Sequence, residues 1–125
     1  MKLARWKTPR SRNHVARNAE GFVNAVTATA LSTPDERLRI EVLTLLAGVD
    51  WPTASVVLHF CHADPYPVLD YRAIWSLGVD RAPAYDFAFW WAYTRACRRL
   101  AARARCPMRM VDRALWQYAK ERQGG

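Results

Sequence analysis

Between Asn18 and Glu121 apolar residues return every three or four positions, and glycine or proline stands where that rhythm stops. A helix turns every ~3.6 residues and a strand alternates every ~2, so the spacing predicts helices joined by short breaks. Asn18 reads as a cap ahead of "AEGFVNAVTATALS", which puts Phe22, Val23, Val26 and Ala30 on one face. "STPDERLRIEVLTLLAG" predicts a second helix: Ser32 or Thr33 caps it, Pro34 opens the first turn, and Asp35 and Glu36 face its positive end. Leu38, Val42, Leu45 and Leu46 carry it to about Ala47, and Gly48 stops it.

A third helix starts near Pro52, bearing Ala54, Val57, Leu58 and Cys61, so it forms a hairpin with the second. "HADPYPV" must be a loop, because two prolines in three residues cannot continue a helix. Asp70 opens a short helix closed by Gly78, "VDRAPAYD" is another loop, and a long helix spans about Asp86 to Arg105. Beyond Pro107 a last helix runs from about Arg109 to Glu121. Every element is helical, with no internal repeat. The class expected is therefore all-α, with a basic irregular arm over 1–17 and one helical domain over 18–122.

The chain has 125 residues, enough for one such domain with a sizeable core, and six Trp, five Tyr and four Phe to fill it. Its formal charge of +8 comes from 19 Lys and Arg against 11 Asp and Glu. The excess sits at the two ends: Lys2 to Arg17 precede the first acid, and only Asp112 interrupts the series from Arg95 to Arg113. Such a balance favours polyanions, nucleic acid first and anionic membrane second, or else it is a solvated surface. Cys61, Cys97 and Cys106 make no CxxC and no disulfide framework, and no apolar run reaches the ~18 residues of a membrane span. "MKLARWKTPRSRNH" lacks the apolar stretch of a signal peptide. A cytoplasmic protein is expected.

"LAGVDWPTASVVL" followed by "PVLDY" resembles the helix-hairpin-helix DNA glycosylase superfamily, the group with a Gly- and Pro-rich loop and a catalytic aspartate. The family pattern is a leucine, a Gly-Val-Gly turn, two variable residues and Thr-Ala, with an aspartate at the head of a later helix. Leu46, Gly48, Val49, Thr53 and Ala54 match the hairpin, Pro67, Val68 and Asp70 match the approach to the aspartate, and the spacing fits the endonuclease III-like branch. The helices from "FWWAYTRACRRL" to "MRMVDRALWQYAKER" extend the likeness over roughly 18–122.

The resemblance implies that Gly48, Val49 and Thr53 grip a phosphate with backbone N–H groups, and that a base is flipped from the stack. Asp70 would then stabilise the positive charge of the breaking glycosidic bond or activate water. Pro52 stands where the bifunctional branch has its lysine, so any glycosylase activity is expected to be monofunctional, without strand cleavage.

Three departures set the alternative. Asp50 replaces the second turn glycine, placing a carboxylate where a phosphate should approach, and Pro52 removes one N–H. Asp50 is also placed to cap the third helix itself, as Asp70 is for the next. Only 47 residues precede Gly48, so the fold is expected to be truncated relative to the two-lobed enzymes. A homodimer or a protein partner would complete the missing lobe. The second reading is thus a non-catalytic helical module for DNA or protein that kept the fold and lost the chemistry.

Among the basic residues, Arg95, Arg98 and Arg99 are the foremost DNA-facing candidates, although the arginines of their helix cannot all share one stripe. Arg72 either holds a phosphate or pairs with a surface acid. "HFCH" offers His59, Cys61 and His62 without a fourth partner, so no metal is expected, and no cysteine cluster calls for an iron–sulfur cofactor. Trp75, Trp90, Trp91 and Trp116 lie in apolar stripes and are expected mainly in the core.

Overall fold

A computed structural model of the chain describes residues 19–79 and 84–123; the arm over 1–17 and the Asn18 cap lie outside the described residues. Six α-helices and no strand occur among them. The chain divides into two compact units, at Cys61 and His62.

In the first unit α1 spans Glu20–Ser32, α2 Glu36–Leu43 and α3 Trp51–Cys61, with α2 packed on both neighbours. The N-cap of α2 is Asp35, whose carboxylate accepts from Leu38 N–H at 2.9 Å, and not Ser32 or Thr33. Thr33 instead closes α1, and its hydroxyl accepts from Asp35 N–H at 3.1 Å, so Pro34 precedes the cap. The apolar rhythm runs on to Ala47, but the α-helix ends at Leu43. Leu45 and Leu46 N–H bond three residues back, to Val42 and Leu43, as the last turns tighten toward Gly48 at φ +80°. Val26, Ala30, Ile40, Leu43, Leu46, Ala54 and Leu58 are buried.

Arg39 is buried with them, 6% exposed. Its Nε donates to Ala30 O at 3.0 Å, Nη1 to Glu36 at 2.6 Å, and Nη2 to Thr33 O. A guanidinium thereby takes up carbonyls that the end of α1 leaves without helical partners, and ties α1 to α2.

In the second unit α4 spans Tyr71–Ser76, α5 Phe87–Ala104 and α6 Met108–Gln123; α6 packs on both others. Asp86 caps α5 by accepting from Phe89 N–H at 2.8 Å, and Arg105, left-handed at φ +52°, ends it. Tyr66, Leu69, Ile74, Trp90, Cys97 and Val111 are buried, with the Tyr66 and Trp90 rings stacked at 5.8 Å.

Candidate nucleic-acid interface

The turn between α2 and α3 places Gly48 in the open, with Val49 N–H held by Leu46 O at 3.1 Å. Asp50 sits at the head of α3: its carbonyl takes Ala54 N–H at 2.8 Å and its side chain takes Thr53 N–H at 3.4 Å. The second contact is long and correspondingly weak. It nonetheless puts a carboxylate against a donor that a phosphate at the turn would use. The charge balance of the described residues of this unit is unfavourable too. Residues 19–61 hold two arginines against five acids, and Arg37 and Arg39 are each paired, with Glu41 at 2.7 Å and Glu36 at 2.6 Å.

Asp70 lies in the second unit, half-buried, at the head of α4. One carboxylate oxygen accepts from Arg72 N–H at 3.1 Å, and the other has no hydrogen bond among the described residues. The loop leading to it is clamped by side chains of α5 and α6. Arg98 Nε donates to Pro65 O at 2.8 Å, Tyr93 hydroxyl donates to Val68 O at 2.9 Å, and the Asp112 carboxylate accepts from Val68 N–H at 3.2 and 3.3 Å. Burial raises the Tyr93 phenol well above its ordinary range, with the charges of Asp112 and Asp70 and the Cys97 side chain adding to the effect. Burial, then Asp112, pushes the Cys97 thiol up to about 12, although the Tyr93 hydrogen bond opposes this. Both groups stay protonated at neutral pH, so they serve here as hydrogen-bonding groups rather than as bases or nucleophiles.

The arginines of the long helix separate as helical geometry requires. Arg95 and Arg99 are exposed one turn apart on α5, with Arg103 exposed one turn further. Arg98 turns inward: its guanidinium lies 4.7 Å from the Tyr66 ring centre and 5.5 Å from that of Trp91, and its Nη2 is buried without an acceptor. On α4, Arg72 is 5.6 Å from the Tyr71 ring and 5.4 Å from the Trp116 ring, and its Nε donates to Tyr71 Oη at 3.1 Å. Arg72, Arg95, Arg99, Arg103, Arg113 and Lys120 form no ion pair among the described residues, whereas His62 Nδ1 lies 4.0 Å from the Asp64 carboxylate. Four of the described acids of residues 62–123 are engaged elsewhere: Asp70 and Asp86 cap helices, Asp112 takes Val68 N–H, and Glu121 takes Gln117 Nε2 at 3.0 Å.

Sequence reasoning missed two residues that matter. Nothing in the sequence singled out Arg39. Trp116, assigned mainly to the core, is 38% exposed. The remaining tryptophans of that group range from Trp90, fully buried, to Trp75 and Trp91, part-buried. Among the described residues no three His, Cys, Asp or Glu side chains come together as a metal site would need. No helix among them is long and apolar enough to cross a membrane. No protein-family model, curated protein or solved structure matches the chain.

Proposed function

We propose that this protein is a helical DNA-binding module that grips the phosphate backbone through residues 62–123. In this reading it is a non-catalytic relative of the helix-hairpin-helix glycosylases. The observation that carries the reading is the distribution of ion pairs. In 62–123 Asp70, Asp86 and Asp112 accept from backbone N–H groups, while Arg72, Arg95 and Arg99 form no ion pair among the described residues and are left for phosphate. The Gly48, Val49 and Thr53 turn, in its acidic setting and with Asp50 at the head of α3, has no such role. Asp50 and Asp70 are helix caps.

A second reading has one observation in its favour. Asp70 keeps a carboxylate oxygen without a hydrogen bond, at the end of a loop clamped at Pro65 and Val68, as a monofunctional glycosylase would need of its catalytic acid. A homodimer or a partner protein belongs to that reading, because it would supply the missing lobe.

The two separate in one titration, of a duplex carrying a stable abasic-site analogue against the same duplex undamaged, at low and physiological salt. The module binds both equally. With five phosphate contacts its affinity falls roughly 500-fold between about 50 and 200 mM salt. Tighter abasic binding that survives salt shifts the assignment to the glycosylase, for which Asp70→Asn abolishes turnover and spares binding. Absence of DNA binding overturns both.

A further inference from the structure

The exposed edge of α4 and α6 has a chemistry that phosphate contacts alone do not use. On α6, Arg113, Trp116 and Lys120 recur at three and four residues and are all exposed, so they form one stripe, which Arg109 continues toward the helix start. Trp116 is 38% exposed and Tyr71 60%, an unusual setting for large rings. They are bridged by cations: Arg72 lies 5.4 Å from the Trp116 ring and 5.6 Å from the Tyr71 ring, and Lys120 Nζ is 5.2 Å from Trp116. Arg72, Arg113 and Lys120 have no ion-pair partner among the described residues.

Cations held over aromatic faces are preorganised for anions, because little side-chain freedom remains to be lost on binding. The Lys120 stem is exposed and flexible, so its ammonium can move to a phosphate and uncover the indole face. A flat ring flanked by cations suits a polymer that alternates flat bases with anionic phosphates. It does not suit a duplex, whose interior base faces are already stacked. An acidic peptide would use the cations and leave the rings idle.

We infer that the face made by Tyr71, Arg72, Trp116 and Lys120 binds single-stranded nucleic acid, stacking an unpaired base on Trp116 while Arg72, Arg113 and Lys120 meet the flanking phosphates. This rests on residues 62–123 being the nucleic-acid-binding unit, and adds to it the form of nucleic acid and the site.

The test needs no variant at first. Labelled strands of about 20 thymidines, equal-length abasic strands with the same phosphates but no bases, and a duplex are titrated at physiological salt. The thymidine strand binds at least about tenfold tighter than the abasic strand, a difference of about 1.4 kcal/mol and within the range of one stacked base. Trp116→Ala removes that advantage and leaves abasic binding unchanged, Trp116→Phe retains part of it, and Tyr71→Ala provides a second, separately folding probe of the same face. Equal binding of thymidine and abasic strands overturns the proposal, as does a thymidine advantage indifferent to both alanine variants. Polyglutamate that displaces the thymidine strand as well as unlabelled strand does overturns it in favour of an acidic protein segment. Failure of all three nucleic acids instead overturns the DNA-binding reading beneath it.

Discussion

Arginine is used in opposite ways in the two units. In residues 19–61 Arg39 is enclosed, shared between Glu36 and the carbonyls of Ala30 and Thr33, and Arg37 is paired with Glu41. In residues 62–123 Asp70, Asp86, Asp112 and Glu121 turn to backbone or amide N–H groups, and most of the described arginines lie over aromatic rings or in solvent. The same side chain is therefore tied to carboxylates in one unit and, Arg98 aside, largely left to rings and solvent in the other. What decides between the roles is whether a carboxylate one turn away is free to pair.

The sharpest way to break that contrast is Arg39→Met. It takes the guanidinium away from Glu36 and from the carbonyls of Ala30 and Thr33, so unfolding is expected to be easier by about 3–5 kcal/mol. A urea titration followed by circular dichroism checks this. A loss below about 1 kcal/mol would mean that Arg39 is no more structural than the exposed arginines.

The next effect comes from the protonated pair inside the second unit. Cys97, raised to about 12, stays protonated when folded, whereas in the unfolded chain the thiol ionises near its ordinary 9.0. Its contribution is therefore fully present below pH 9, and declines as pH rises from there toward 12. The decline approaches about 1.4 kcal/mol for each unit of pH. Tyr93, raised in the same direction, reinforces the loss above its own ordinary value of 10.0. Urea midpoints at pH 8 and 10 measure this, and a flat profile would contradict the dry environment assigned to the pair.

A smaller effect of opposite sign is expected at Thr94, which is fully buried with its hydroxyl lacking a hydrogen-bond partner among the described residues. Valine has nearly the same shape without the polar atom, so Thr94→Val is expected to stabilise the protein by about 1 kcal/mol. A raised melting temperature checks it; destabilisation would show that the hydroxyl has a water or a shifted carbonyl to bond.

These residues also mark how far the sequence could be read. Apolar spacing and the breaks at Gly48, Pro65, Pro67, Gly78 and Pro107 located all six helices of the described residues, since periodicity and backbone restriction are local properties. Asp70 as a cap was legible for the same reason, whereas the sequence marks Asp86 only as the start of the long helix that it caps. The stop at Leu43 was not, because the tightened turns at Thr44 to Leu46 preserve the apolar rhythm while changing the hydrogen bonding. Asp35 displaced Ser32 and Thr33 because α1 continues through Ser32, which leaves Thr33 as its closing residue. The burial of Arg39 and the exposure of Trp116 have a reason outside any local window. The first depends on carbonyls at the end of another helix, the second on which α6 residues α4 covers.

The smallest expected effect separates binding from folding most cleanly. Arg113 is exposed, without a hydrogen bond or ion pair among the described residues, and on the stripe with Trp116. Arg113→Ala should leave stability within about 0.5 kcal/mol, as for other surface changes away from structural contacts. If Arg113 meets a phosphate, the same variant lowers by about one the slope of log affinity against log salt, for duplex and single strand alike. The two measurements on one variant oppose Arg39→Met, whose effect falls on unfolding. A stability loss at Arg113 comparable to that at Arg39 would remove the distinction between the units. An unchanged salt slope would move the phosphate contacts off α6, toward the Arg95, Arg99 and Arg103 stripe of α5.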